Sequence, residues 1–198
     1  MPSTRDPLHV RIELEVSSYL QEKGYSVHSQ TYHDVLPAGI VKALTDRWSS
    51  AALYIRARAD RLAIHPLIDS QFEFEAKSGG GPDLCLEVSP LLDHVGKWRE
   101  SGIDCLYAFE CGNTSGGFWA SSPPPVRVIM QPRGTRYDNK AIDRLRQKCA
   151  AYFPAVKYCV IEKSNGSGDP FCVIDKSNTL NLPTWKGLID AAAIAPTA

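Results

Sequence analysis

One stretch constrains the fold more than any other, because it holds two segments with strand-like alternation on either side of a turn. Residues 53–65 (LYIRARADRLAIH) place charged and apolar side chains on opposite faces, and residues 71–77 (QFEFEAK) alternate strictly. Pro66, Asp69 and Ser70, between them, are typical of a turn. The pattern predicts two adjacent strands, each with an apolar and a charged face.

The charged faces of these two segments carry the residue types that phosphodiester hydrolysis needs. Two neighbouring strands would bring Asp60, Glu75 and Lys77 close together. Two carboxylates can hold one or two Mg²⁺ ions, which prefer oxygen ligands. An ammonium group beside them stabilises developing negative charge or helps to orient the attacking water. We therefore interpret these residues as candidate catalytic residues.

The order of Asp60 and then Glu75-Ala76-Lys77 resembles the signature of the PD-(D/E)xK nuclease superfamily, an acidic residue followed by (D/E)xK on a later strand. Ala59 stands where the name of the superfamily has proline. The resemblance extends over roughly residues 10–109. It implies an α/β fold with a mixed central β-sheet flanked by helices, that is, a restriction-endonuclease-like core.

The resemblance also implies an activity and a set of ligands. It implies a Mg²⁺-dependent (or Mn²⁺-dependent) endo- or exodeoxyribonuclease, a hydrolase whose partner is DNA; it leaves homodimer formation open. Asp60 and Glu75 would bind the metal, and the backbone carbonyl of Ala76 would add a ligand. Glu13 on the opening helix, or Glu73, would complete the cluster. Accessory polar residues on the charged face and on the following helix are Glu73 and Glu87.

Periodicity predicts the other elements of the fold. Residues 9–23 have helical spacing and end at Gly24, which we expect to cap the helix. Residues 103–111 form a continuous apolar run, which predicts a buried central strand beside residues 71–77. The segment 84–102 has helical spacing, and Pro90 implies either a kink or a late start of the helix. The remaining predicted elements are a turn at 113–117, a strand over 126–132, a helix over 139–153, a hairpin of 155–162 with 169–175, and a short terminal helix from 183.

Composition places the chain among ordinary globular proteins. Its 198 residues are 43% hydrophobic and 22% charged, which predicts a single domain over 1–198, with a core of about residues 8–130 and a C-terminal elaboration over 131–198. No apolar run approaches the ~20 residues of a membrane span, and the first residues have no hydrophobic core of a secretory signal. We therefore expect a cytoplasmic protein without a membrane partner.

Basic residues are concentrated locally although the chain as a whole is neutral. The formal net charge is zero, unlike that of a nonspecific nucleic-acid coat protein. Residues 127–148 have a local excess of basic residues that could follow a phosphate backbone, although a solvated helix face would look the same. The predicted nucleic-acid-binding residues are Arg56, Arg58, Arg136, Lys140 and Arg144.

Two alternatives to a nuclease remain open at this level. The same fold could serve as a nucleic-acid or protein-binding module without chemistry. Alternatively, Glu73, Glu75 and Lys77 could be a salt-bridged strand face in an unrelated fold. A zinc hydrolase is disfavoured, because the five histidines have no HxH or HExxH spacing. The sequence does not separate duplex from branched or single-stranded substrates, or DNA from RNA.

Overall fold

The computed structural model describes residues 6–31, 36–45, 55, 58–79, 84–112, 114–124, 126–132, 139–154, 157–161, 170–174 and 185–194. The helices are α1 (Pro7–Glu22), α2 (Ala38–Thr45), α3 (Val88–Ser101), α4 (Asn139–Tyr152) and α5 (Trp185–Ile194). The strands are β1 (Ser26–Ser29), β2 (Arg61–His65), β3 (Ser70–Gly79), β4 (Leu84–Glu87), β5 (Cys105–Cys111), β6 (Thr114–Trp119), β7 (Val126–Pro132), β8 (Lys157–Ile161) and β9 (Phe171–Ile174).

The central sheet is mixed and has five strands in the order β1-β2-β3-β5-β6. β3 and β5 are parallel, and the other neighbouring pairs are antiparallel. Two parallel neighbours require a crossover connection, and the segment between β3 and β5 contains α3. The predicted α/β fold with a mixed central sheet flanked by helices is confirmed, and so is the position of β5 beside β3.

Each face of the central sheet is covered by its own hydrophobic cluster. On one face, Phe74 and Leu106 are buried with Val16 of α1 and Ile189 of α5. On the other face, residues of α3 and the second sheet are buried against Tyr107 and other residues of β5. This arrangement explains the alternation in β3, because Phe72, Phe74 and Ala76 all belong to the cluster on the α1 face.

The second sheet has four strands in the order β4-β9-β7-β8. The predicted hairpin of residues 155–162 with 169–175 is wrong, because β7 lies between β8 and β9. β8 pairs in parallel with β7, and β9 pairs antiparallel with both β7 and β4. Alternation alone does not reveal a strand's partner, so two neighbouring strands in sequence were assigned to each other.

Three further predictions differ from the structure. The strand predicted over residues 53–65 is shorter: β2 begins at Arg61, and the backbone of Asp60 bonds to Gln30 and to the Glu75 side chain instead of the β3 backbone. Residues 84–87 of the helix predicted over 84–102 form β4, because Leu84 and Leu86 are buried while the strand pairs with β9. Most of the turn predicted at 113–117 belongs to β6, which begins at Thr114, whereas residue 113 lies outside the described residues.

The predicted end of α1 is confirmed. α1 ends at Glu22 and is followed by Gly24 with φ of 91°, a left-handed conformation that favours glycine. α5 packs behind α1, since the Tyr19 hydroxyl donates to the Asp190 carboxylate at 2.8 Å.

The division into a core and a C-terminal elaboration stays a prediction. Within the described part of the chain, no helix has both the length and the apolar character to cross a membrane.

Gly117 allows β6 and α5 to approach each other closely. A Cβ atom at this position would lie 2.7 Å from the Trp185 Cβ and 3.0 Å from the Tyr107 carbonyl oxygen. We predict that Gly117→Ala lowers the free energy of unfolding by about 1–3 kcal/mol, as overpacking of a core does. Urea denaturation followed by circular dichroism would measure the change.

Gly39 offers a matched control for this substitution. It lies in α2, and an added Cβ would meet no atom within 4 Å. Gly39→Ala should leave stability unchanged or raise it by up to about 1 kcal/mol, because glycine is unfavourable inside a helix. Equal stability of the two variants would contradict the close approach at Gly117.

Candidate active site

The candidate site forms where β2 and β3 separate. Beyond the pair of Arg61 with Phe74, the two strands no longer form a ladder. The side chain of Asp60 takes the place of the missing strand, because the Ala76 N–H donates to its Oδ2 at 2.8 Å. In return, the Asp60 N–H donates to Glu75 Oε2 at 3.1 Å. These reciprocal bonds hold two carboxylates side by side at the open edge of β3.

Lys77 completes the group that the sequence predicts as catalytic. Its Nζ donates to Glu75 Oε1 at 2.6 Å, so the three side chains of Asp60, Glu75 and Lys77 lie together. The side chain of Lys77 is 29% exposed, whereas that of Glu75 is 12% exposed. Of this ion pair, Lys77 therefore has the more exposed side chain.

Helix α1 adds two side chains to the same place. His9 Nε2 lies 3.5 Å from Asp60 Oδ2 and 3.9 Å from Glu13 Oε2. The candidate ligand atoms of His9, Glu13 and Asp60 all lie within 4.8 Å of one another. Glu13 is buried and also accepts a hydrogen bond from Arg61 Nε at 2.6 Å. Glu13 thus lies on the first helix, beside His9 and Asp60.

His9 is the site residue that sequence reasoning missed. The histidines were considered only for zinc-type spacings, and His9 has none of these. A usable signal was nevertheless present, because His9 and Glu13 are four residues apart in a predicted helix. Residues at this spacing are neighbours on one helix face.

The N-terminus of α1 is tied directly to the strand that carries the site. Asp6 caps the helix by accepting from the Leu8 N–H at 3.1 Å, and it also accepts from the Ser78 hydroxyl at 2.6 Å. Ser78 is the residue after Lys77. This link places the first turns of α1, with His9, beside the end of β3.

Burial and close charges shift the acid–base properties of the site. Burial raises the pKa of Glu75 to about 7, against the opposing effect of Lys77. Burial acts to lower the pKa of Lys77, but the charge and hydrogen bond of Glu75 together with the charge of Asp60 outweigh it, and the pKa lies above its ordinary value. Burial acts to raise the pKa of Asp60, but the hydrogen bond and charge of His9, together with the Ala76 N–H and Lys77, outweigh it, so the pKa is lowered. The hydrogen bond with Asp60 raises the pKa of His9.

The two predicted accessory residues lie in different surroundings. Glu73 is buried on the same face of β3 as Glu75, and its carboxylate forms an ion pair with Lys97 of α3. Glu87 is half-buried at the end of β4, and its charge contributes to the raised pKa of Lys77. Glu87 is therefore close enough to Lys77 to act on it, while Glu73 connects β3 to α3.

The predicted nucleic-acid-binding residues are only partly within the described structure. Arg58 is exposed two residues before Asp60, and Arg144 is exposed on α4. Arg56 and Arg136 lie outside the described residues, and the side chain of Lys140 is not described. A role of these residues in binding nucleic acid stays a prediction.

Comparisons with known proteins leave the function open. No protein-family model and no curated protein matches the chain. Among solved structures, the chain is similar to Hjc, a Holliday junction resolvase from the archaeal hyperthermophile Archaeoglobus fulgidus. The TM-score is 0.45 and the identity 12%, over 96% of this chain and 98% of that one. A similarity of this degree carries no argument about activity. The function therefore has to be argued from the geometry of the site.

The raised pKa of Glu75 predicts a pH dependence of stability in the metal-free protein. Between its ordinary value of 4.5 and about 7, the folded protein holds a proton on Glu75 that the unfolded chain has released. The free energy of unfolding therefore falls as the pH rises through this window. The raised pKa of His9 acts in the same direction as the pH rises past 6.5.

Glu75→Gln removes the contribution of this carboxyl to the pH dependence of the free energy of unfolding. We predict that the loss of unfolding free energy between about pH 5 and about pH 8 is smaller in Glu75→Gln than in the wild type, by on the order of 2 kcal/mol. Urea titrations with a chelator present would measure it. Glu100→Gln, which changes an exposed glutamate on α3, should leave the loss unchanged. An equal loss in Glu75→Gln would contradict the prediction.

Proposed function

We propose that this protein is a metal-dependent nuclease that hydrolyses phosphodiester bonds in DNA. The observation that carries the proposal is the reciprocal hydrogen bonding of Asp60 with Ala76 and Glu75 at the open edge of β3, with the Lys77 ammonium 2.6 Å from Glu75. Two carboxylates and an ammonium group are held together in a half-buried place. A salt-bridged strand face in solvent would not need the Asp60 side chain to replace a strand.

The donor set fits a hard divalent cation. Asp60 and Glu13 offer carboxylate oxygens and His9 offers an imidazole nitrogen, all within 4.8 Å of one another. Glu75 offers a further carboxylate, held by the Asp60 N–H. Because the N–H and C=O of a strand residue lie on the same edge, the Ala76 carbonyl faces the edge at which its N–H meets Asp60. Oxygen-rich sets suit Mg²⁺ and Mn²⁺, and imidazole favours Mn²⁺ over Mg²⁺. Such an ion, when bound, polarises the phosphate and activates water.

Lys77 would act as a cation and not as a base. Its raised pKa keeps the ammonium charged at neutral pH. The group can therefore stabilise the negative charge that develops on the phosphate, or hold the attacking water by a hydrogen bond. The carboxylate of Glu75 fixes the position of the ammonium, and its own proton must leave before it can bind a cation.

DNA as the substrate rests on the motif resemblance and on two exposed arginines, of which one is close to Asp60 in sequence. Arg58 is close to Asp60 in sequence and open to solvent, where it could contact a phosphate of the backbone. Arg144 on α4 is a second exposed arginine. A cytoplasmic location and a restriction-endonuclease-like core belong to the same proposal.

Substitutions at the site should abolish cleavage and leave the fold intact. We predict that Asp60→Asn and Lys77→Gln each reduce the cleavage rate at least about a hundredfold, because each removes a charge that acts directly on the reacting phosphate or its metal. Plasmid, linear and branched DNA would be incubated with Mg²⁺ or Mn²⁺ and analysed on gels. Circular dichroism would verify folding.

Asp69→Asn is the matched control, because Asp69 is an exposed aspartate in the turn between β2 and β3. Its cleavage rate should equal that of the wild type. If both site variants cleave as fast as the wild type, the nuclease proposal fails. If the wild type binds DNA in a salt-dependent way but neither binds metal nor cleaves, the binding-module alternative is correct.

The contribution of His9 can be tested by metal binding without DNA. We predict that the rise in melting temperature on adding Mn²⁺ is smaller in His9→Gln than in the wild type, and that the rise with Mg²⁺ changes less, because imidazole is a softer ligand than a carboxylate. His28→Gln is the control, since His28 is exposed on β1. Equal Mn²⁺ responses in His9→Gln and the wild type would exclude His9 as a ligand.

A further inference from the structure

Arg61 follows Asp60 directly and is the first residue of β2. In the β2–β3 ladder, Arg61 is opposite Phe74, whose side chain lies in the cluster beneath α1. The Asp60 carboxylate accepts from the Ala76 N–H at the edge of β3, while the guanidinium group of Arg61 donates to Glu13 of α1. The element that positions Asp60 thereby also positions a charge next to Glu13.

The guanidinium group of Arg61 holds one oxygen of Glu13. Its Nε donates to Glu13 Oε1 at 2.6 Å, and a second guanidinium nitrogen also contacts this oxygen. The Glu13 side chain is only 3% exposed. A buried carboxylate needs a compensating charge, because removal of its charged partner leaves an unpaired buried charge and strongly destabilises the fold. Arg61 supplies this charge, while Glu13 Oε2 faces His9 at 3.9 Å.

A divalent cation among His9, Glu13 and Asp60 would neutralise the same carboxylate. The cation and the guanidinium group would then share Glu13, and the positive charges would repel each other across a distance of a few ångströms. We propose that Arg61 sets the cation affinity of the centre by competing with the metal for Glu13. The inference rests on the metal centre of the proposed function and adds a residue that determines how tightly the metal binds.

This competition has a functional consequence for the site. With Arg61 in place, the charge of Glu13 is already compensated, so Glu13 attracts a cation less strongly than an unpaired carboxylate would. Asp60 and Glu75 then provide most of the attraction, at the edge of β3 where the backbone fixes them. Arg61 thus reduces the share of Glu13 in holding the metal.

A double-mutant cycle with Arg61→Gln and Glu13→Gln tests the proposal. The measurement is the affinity for Mn²⁺ by isothermal titration calorimetry, with the Mn²⁺-induced rise in melting temperature as a second readout. We expect Arg61→Gln to bind Mn²⁺ at least about tenfold more tightly than the wild type, because the cation becomes the main counter-charge of Glu13. In the Glu13→Gln background, the same substitution should have a much smaller effect.

Two further variants keep the test interpretable. Arg61→Lys retains a cation at this position and should bind Mn²⁺ nearly as the wild type does. Arg58→Gln removes an exposed arginine that precedes Asp60 and measures the effect of charge at a distance. The double variant Arg61→Gln/Glu13→Gln removes both charges of the buried pair, so it should stay folded even if Arg61→Gln alone is less stable.

The outcomes separate this inference from the proposed function. If the wild type binds Mn²⁺ but Arg61→Gln binds it equally or more weakly, the competition is absent and Arg61 is a structural residue only. If Arg61→Gln raises the Mn²⁺ affinity by the same factor in the Glu13→Gln background, the gain in affinity comes from long-range electrostatics and not from competition for Glu13. If the wild type does not bind Mn²⁺, the metal centre and this inference fail together.

Discussion

The whole site depends on the hydrogen bond that the Ala76 N–H donates to the Asp60 carboxylate. In a continuous hairpin, this N–H would meet a backbone carbonyl of the neighbouring strand. Here an acidic side chain takes that position, so β2 can end and the edge of β3 can open without an unsatisfied buried donor. The bond also fixes Asp60, because the backbone of a central strand moves little. Preorganisation of this kind is what a charged reaction centre requires.

The two faces of β3 have different roles. The face with Phe72, Phe74 and Ala76 is buried against α1 and α5 and stabilises the fold. The opposite face carries Glu75 and Lys77 into a half-buried place beside Tyr107, where interactions between charges are stronger than in water. The same burial makes unpaired charges costly. Each described acid of the centre is accordingly bonded to an N–H or a cation.

The local sequence pattern was sufficient to predict the helices and strands whose two faces differ in polarity. The strict alternation of residues 71–77 predicted β3, and helical spacing predicted α1. Glu13 followed from the motif resemblance alone. Pattern failed where long-range pairing decides the structure. Leu84–Glu87 forms a strand because it pairs with β9, and β8 pairs with β7 instead of β9. The contacts of Arg61 and His9 were also hidden, because they arise only when α1 packs across the end of β2.

The position of α5 affects how the chain reaches its final form. Asp190 bonds to Tyr19 and Lys23, and the Trp185 ring meets the Tyr19 ring edge-on, so the last described helix supports the first. Synthesis on the ribosome proceeds from α1 to α5. α1 therefore receives this support only after residues 185–194 have been synthesised, so a shorter nascent chain lacks the contacts that hold Tyr19 and Lys23.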